Sequence, residues 1–223
     1  MEPIDERLLK AVDGYIEALF APPDPVMRQG LLDAQAAGMP AIQVSPTQGK
    51  LLFLIAKIAH ANRILEIGTL GGYSTTWLAR ALPPEGVLIT LELDPKHAGV
   101  ARKNLKRAGL DQLVDVRVGV ASGLLTDLIE SHAEPFDLIF IDADKPGYRE
   151  YLDLSIRLSH RGTVILADNL IRNGRVLEEQ PLDENARGAR AYNRAIAEDL
   201  RLDSIILPLF RDKLDGMSIS VVK

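Results

Sequence analysis

Two apolar runs in this 223-residue chain each stop abruptly in acids. Residues 136–141 lead into Asp142, Asp144 and Lys145, and residues 162–167 lead into Asp168 and Asn169. A continuous apolar run of that length reads as a strand buried on both faces of a parallel sheet, and ligands of such sheets bind beyond the strands' carboxyl ends. Two neighbouring strand ends would bring Asp142, Asp168 and Asn169 together. Three oxygen donors at a cleft suit a hard divalent cation, Mg²⁺ first, with Mn²⁺ or Ca²⁺ also compatible. Each piece also has a plainer reading. Lys145 could be a loop lysine paired with Asp144, and Asp168-Asn169 a simple turn or helix cap.

A second constellation lies upstream. Glu66, Gly68, Gly71, Gly72 and Ser74 fall where a strand turns into a helix, the place at which doubly wound sheets bind nucleotides. A carboxylate inside that turn would repel a pyrophosphate but could bind an ammonium group, so Glu66 points away from dinucleotides. Glu92 ends the next strand about 20 residues on, where an acid takes ribose hydroxyls. A ligand with a ribose, a charged amino-acid end and no phosphates satisfies both acids, and S-adenosylmethionine is such a ligand. After the third strand, Ala121 and Ser122 could cradle its adenine edge, although Ser122 could equally be the N-cap of the following helix. Glu66 could instead be a salt-bridged acid near a helix start.

The elements that must position these residues follow from hydrophobic period and breakers. A helix is expected over 6–20, ended by the prolines of 21–25, with a lid-like stretch after it. Leu51, Leu54, Ile55 and Ile58 set a helix over 48–59 before the first strand, 63–68. Helix 74–82, strand 87–92, helix 95–108 and strand 114–118 come next, then the two acid-tipped strands with a helix over 148–158 between them. A helix over 185–200 precedes a hairpin of strands 204–208 and 217–222. The alternation implies a doubly wound α/β sheet, mostly parallel, with an antiparallel element at one edge, in a single domain.

Composition agrees with small-molecule chemistry. The chain is 47% hydrophobic and 26% charged, has a net charge of −5, and contains no cysteine, which excludes disulfides, thiolate metal sites and cysteine nucleophiles. No apolar stretch is long enough for a bilayer, and nothing gives a global basic field for nucleic acid. The first residues lack the pattern of a signal peptide, so a cytoplasmic setting is the expectation. His60, His97, His132 and His160 have no matching partner motif and read as structural or exposed. Trp77 reads as core. Arg28, Arg172 and Arg175 could meet an acidic substrate group, with surface arginine as the commoner explanation.

In this order, Glu66-Ile-Gly68 with Gly72-Tyr-Ser74, Glu92, Asp142-Ala-Asp144-Lys145-Pro-Gly-Tyr148, and Asp168-Asn169 followed by Asn173-Gly174 closely resemble the cation-dependent O-methyltransferases of the caffeoyl-coenzyme A and catechol type. The resemblance runs from about Ile42 to the C-terminus. It implies a seven-stranded Rossmann-like methyltransferase sheet, a homodimer, and a catechol-like acceptor. It also implies that Asp142, Asp168 and Asn169 hold the metal and that Lys145 is the base. By the same likeness Val44, Glu66, Gly68, Gly72, Ser74, Glu92, Ala121 and Ser122 would line the S-adenosylmethionine site, with Asp142 touching its amino-acid end. The N-terminal segment, about 1–45, would contribute to the substrate site or to a dimer contact. Two alternatives use the same sheet. A nicotinamide-dependent oxidoreductase is disfavoured by Glu66. An N-methyltransferase is disfavoured by the missing Asp/Asn-Pro-Pro-aromatic signature.

Overall fold

The computed structural model describes residues 6–210 and 214–223. Seven strands form one sheet, β1 (Arg63–Ile67), β2 (Val87–Glu92), β3 (Val114–Val118), β4 (Phe136–Ile141), β5 (Ser159–Ala167), β6 (Leu202–Phe210) and β7 (Leu214–Val222). Their order is β3-β2-β1-β4-β5-β7-β6. All neighbours from β3 to β5 are parallel, and β7 alone runs antiparallel, inserted between β5 and the edge strand β6. This is the expected doubly wound sheet. The centre of the hairpin connection, 211–213, and the chain start used for the signal-peptide reading lie outside the described residues.

Period-2 alternation sends the side chains of each strand to two separate cores. Leu65, Ile67, Ile139, Ile141, Ile165 and Ala167 pack with α6 (Ala121–Glu130), α7 (Tyr148–Arg157) and α8 (Glu184–Glu198) on one face. Ile64, Leu88, Leu138, Phe140 and Leu166 pack on the other with α3 (Pro46–Ile58), α4 (Tyr73–Ala79) and α5 (Pro95–Arg107). Both faces are covered, which is why the central strands read as continuous apolar runs.

The proline cluster at 21–25 does not open into a lid. After α1 (Glu6–Phe20), Pro25 is the first residue of α2 (Pro25–Ala36), and Asp24 caps it by accepting from the backbone N–H groups of Val26 and Met27. Proline is well suited to that position because the N–H it lacks would have no intrahelical partner. Asp24 also pairs with Arg80, the C-cap of α4, at 2.6 Å, and Asp33 of α2 pairs with Arg107 at 2.6 Å and Lys103 at 3.1 Å, both on α5. The segment is therefore strapped to the sheet's helical layer.

Ser45 and Gln48 form a capping box that starts α3 two residues earlier than the hydrophobic period suggested. Gly49 of α3 lies so close to Trp77 that a Cβ would overlap the indole, and Trp77 meets Phe53 edge-on with ring centroids 6.4 Å apart. Trp77 thus serves helix packing, as expected, although it is only part-buried.

Candidate active site

The parallel ladder runs one step past the strand ends and registers the loops against each other. Gly68 donates its N–H to the Leu91 carbonyl, Asp142 to Ile67, Asp168 to Ile141, and Gly119 to Glu92, at 2.8–3.1 Å. The loops after β1, β2, β3, β4 and β5 consequently open into one cavity of about 1190 Å³. Val44, Gly68, Ser74, Glu92, Ala121, Asp142, Lys145, Asp168 and Asn169 all line it. The structure brings together most of the site expected from sequence.

Three expected residues sit apart from that lining. Glu66 belongs to β1 and not to the turn, and strand parity sends it to the same face as Ile64, beneath the start of α4. It is fully buried, and its carboxylate accepts from Ser74 Oγ at 2.7 Å, Thr90 Oγ1 at 2.6 Å and Thr75 Oγ1. It has no arginine or lysine partner, so the salt-bridge reading fails along with the place inside the turn. Gly72, the N-cap of α4 at φ +80°, packs against Ala101. Ser122 is inside α6, whose N-cap is Val120 with no capping side chain.

Burial pushes the Glu66 carboxyl up to about 7 from 4.5, opposed by the hydroxyls of Thr75, Thr90 and Ser74. A raised folded value means that the native state keeps a proton which the unfolded chain loses. Stability is then full below about pH 4.5 and declines as pH rises towards 7. The loss is on the order of 3 kcal/mol by linkage. Glu66→Gln, whose amide does not titrate and whose neighbouring hydroxyls can rotate to accept, should remove that share. Urea unfolding from pH 4.5 to 8 should show a shallower decline in the variant; identical slopes would mean that Glu66 is not protonated in the fold.

Glu92 shapes the glycine turn from the next strand. Its Oε2 accepts from the N–H groups of Thr69 at 3.2 Å and Leu70 at 2.7 Å, and its Oε1 from Asp94 N–H at 2.9 Å. Gly68 turns at φ +99°, and a Cβ there would overlap the carbonyl oxygen of Asp142. That close approach is what brings the β1 and β4 loops together, and only glycine permits it.

Lys145 is 5% exposed. Its Nζ donates to Asp142 Oδ1 at 3.0 Å, to the Ala143 carbonyl at 3.0 Å and to Tyr148 Oη at 2.7 Å. Lysine therefore pairs with Asp142 and not with Asp144, whose carboxylate accepts from Tyr151 Oη at 2.6 Å and Gly147 N–H at 3.2 Å. Tyr148 Oη in turn lies 3.1 Å from the carbonyl oxygens of both Ile141 and Asp168, so its single proton bridges the ends of β4 and β5. Burial, then the charges of Asp142 and Asp168, keep that phenol protonated. From the other side, α8 approaches the same segment so closely that a Cβ on Gly188 would overlap the Lys145 carbonyl.

Asp168 is 2% exposed; among the described residues its Oδ1 is buried without a hydrogen-bond partner, and Oδ2 meets Gln48 Nε2 at 3.4 Å, while the Asn169 backbone N–H acts on the same carboxyl. Desolvation, then the charge of Asp142, push its carboxyl upward. An unmatched carboxylate oxygen beside a second carboxylate fits a site completed by a cation. Asn169 turns the chain immediately after β5 at φ +61°, a conformation that asparagine tolerates better than most residues. The turn is held by Asp215, whose Oδ1 accepts from Ile171 and Arg172 N–H at 3.1 Å each, and by Asn193 Nδ2, which donates to the Leu170 carbonyl at 2.9 Å.

Sequence reading missed Gln48, Tyr73, His97, Asn185 and Asp215 as lining residues. His97 lies 3.5 Å from Glu92 Oε1, one helical turn after Asp94. A histidine on the helix that follows Glu92 was the available signal. His160 has a partner too, Asp137 at 2.9 Å, at the opposite end of the sheet. Arg28 is exposed on α2, and Arg175 pairs with Asp183 at 3.2 Å.

A doubly wound sheet with an acid-tipped fourth strand, a buried lysine beside it and a glycine turn opposite defines a class of group-transfer enzyme. The pattern of the family described as O-methyltransferase matches residues 25–221, and the chain belongs to that family. It is 48% identical over 221 residues to a catechol O-methyltransferase of Niastella koreensis, covering 99% of this chain and 100% of that protein. A catechol O-methyltransferase of Mycobacterium tuberculosis is 44% identical over 213 residues, 95% of each chain. Among solved structures, an O-methyltransferase from Bacillus cereus in complex with SAH superposes with a TM-score of 0.95 at 42% identity, covering 98% of this chain and 100% of that one. The oxidoreductase and N-methyltransferase alternatives give way to these likenesses.

Proposed function

We propose that this O-methyltransferase moves a methyl group from S-adenosylmethionine to one hydroxyl of a catechol-like small molecule, with a divalent cation, Mg²⁺ first, holding the diol. The observation that carries the reading is the unmatched Oδ1 of buried Asp168, which lines the same cavity as Asp142, Asn169 and Lys145. The names of the catechol O-methyltransferases of Niastella koreensis and Mycobacterium tuberculosis, and the SAH held by the Bacillus cereus structure, support it.

The donor end lies between the glycine turn and Glu92. Gly68, Ser74, Ala121 and Val44 line its walls, and Glu92 offers its carboxylate edge to ribose hydroxyls. Glu66, Gly72 and Ser122 act from behind, by fixing the turn and the helix starts against which the nucleoside rests. A cation held by Asp142, Asp168 and Asn169 would stabilise the phenolate form of a bound hydroxyl. To act as the base, Lys145 would first release to solvent one of the protons it donates to Asp142, Ala143 and Tyr148; its Nζ then accepts the hydroxyl proton, and the oxygen lone pair forms a bond to the methyl carbon as the carbon–sulfur bond breaks. The bonding pair stays on sulfur, leaving a neutral thioether. The protein mainly aligns oxygen, carbon and sulfur, an effect worth roughly 7–11 kcal/mol in well-oriented systems.

The N-terminal segment belongs to the acceptor end of the cavity in this reading, because Asp13 and Ile16 of α1 and residues 40–43 line it. Among the described residues no helix is long and apolar enough to cross a membrane. A cytoplasmic, homodimeric enzyme acting on small molecules and not on nucleic acid completes the proposal.

Methylation of caffeic acid or a flavonoid diol should fall at least 100-fold after exhaustive treatment with EDTA and return with Mg²⁺, as expected for a Lewis-acid contribution of several kcal/mol. Full activity after chelation would overturn the metal assignment. Absence of turnover with any diol in the presence of Mg²⁺, Mn²⁺ or Ca²⁺ would overturn the acceptor class.

A further inference from the structure

Lys145 and Arg172 are the lysine and arginine among the described residues lining the cavity, and they are held very differently. Lys145 is occupied by a carboxylate, a carbonyl and a phenol oxygen. The guanidinium of Arg172 reaches Asp183 Oδ2 at 3.6 Å, beyond hydrogen-bond length, and Arg175 holds that same oxygen at 3.2 Å. Asp183 is further committed to Asn185 N–H, as the N-cap of α8, at 3.0 Å. Arg172 is therefore a cation of five N–H donors, part-buried, whose one ion-pair partner among the described residues is shared and distant.

Its backbone is held more firmly than its side chain. Arg172 sits at φ +55°, three residues after Asn169, with its N–H received by Asp215. Arg172 lines the cavity, and its side chain is 24% exposed. The same cavity is lined by Leu209 and Phe210 of β6, Ile42, and Asn185 at the start of α8, with the Asp215 carboxylate committed to the Ile171 and Arg172 N–H groups. A flat aromatic body along Phe210 with a planar anion at Arg172 matches that lining, since the guanidinium fork accepts a carboxylate through two parallel hydrogen bonds.

We propose that Arg172 is a specificity-determining residue that selects acceptors bearing a carboxylate on the ring or side chain opposite the diol. The inference rests on the diol reading given above. The contact is made away from the reacting oxygen and equally before and during methyl transfer, so it lowers KM for acidic acceptors and leaves kcat nearly unchanged.

The test compares 3,4-dihydroxybenzoate with 3,4-dihydroxybenzyl alcohol, which share the diol and differ in charge, using the full-length enzyme with Mg²⁺ and S-adenosylmethionine. Arg172→Met should raise KM for the acid about 10- to 100-fold, the scale of a hydrogen bond to a charged group, and change KM for the alcohol less than about 3-fold. Arg172→Lys, which keeps the charge without the fork, should recover part of the lost selectivity for the acid. An equal rise for both acceptors, or no rise for the acid, would overturn the proposal. Binding of S-adenosylhomocysteine, measured by calorimetry, should be unchanged in both variants; a parallel loss there would show that Arg172 only holds the turn. Failure of the parental enzyme to methylate either diol would remove the reading on which this rests, whereas turnover of both with no preference would overturn Arg172's role alone.

Discussion

Gly68→Ala should abolish measurable binding of S-adenosylhomocysteine and lower stability by about 3 kcal/mol or more. Two costs coincide. The backbone at φ +99° is one that L side chains rarely adopt, worth about 1–3 kcal/mol. The new Cβ would also occupy the place of the Asp142 carbonyl oxygen, which belongs to backbone and cannot swing away. Relief requires the β1 and β4 loops to separate, moving the turn away from Glu92 and Asp142 away from Asp168. Gly99→Ala, in the middle of α5 with nothing within 4 Å of the added carbon, is the matched control. It should stabilise by about 0.5–1 kcal/mol because alanine is the better helix former. Urea unfolding and calorimetric titration of both variants decide the matter. A Gly68→Ala enzyme with parental affinity would show that the loops do not need their close approach.

Lys145→Met should lower kcat about 10²- to 10⁴-fold, the range contributed by general acid–base groups, with affinity for S-adenosylhomocysteine within about 3-fold of the parent. Methionine keeps the bulk of the stem and removes the nitrogen that faces Asp142, Ala143 and Tyr148. Lys145→Arg retains a cation beside Asp142 but offers no ready base, and should be nearly as slow. Activity rescued by arginine would mean that the residue's charge, by steadying Asp142, is what matters. Single-turnover kinetics at saturating donor and acceptor separate the chemical step from binding.

Much of this site was legible in the chain because burial and position coincide there. A strand covered on both faces is written as an apolar run, and the acid that ends it stands out sharply, which is why Asp142 and Asp168 were found without any coordinate. Glycine at 68 was legible for the same reason, as few other residues make that turn. Glu66 was placed in the wrong compartment because a strand has two faces and the motif was read along the chain only; the parity of Ile64 and Leu65 would have sent it beneath α4. The lid expected after 21–25 was a misreading of proline, which breaks a helix from within but starts one at its first position. Asp24 just before Pro25 was the available signal. Gln48, Asp215 and Asn185 could not have been found from spacing, since each comes to the cavity from an element distant in sequence and earns its place through tertiary packing alone.

The contact of Gly188 with the Lys145 carbonyl divides the final helix into parts with different freedom to vary. Its middle is fastened to the Lys145 segment by a position that admits no side chain, whereas its start, capped by Asp183, is tied through that acid to Arg175 and Arg172. In the proposed reaction, substitutions in the stretch from 172 to 185 would retune which molecules enter without disturbing how a proton leaves. An enzyme arranged in this way can change its diet while keeping its chemistry.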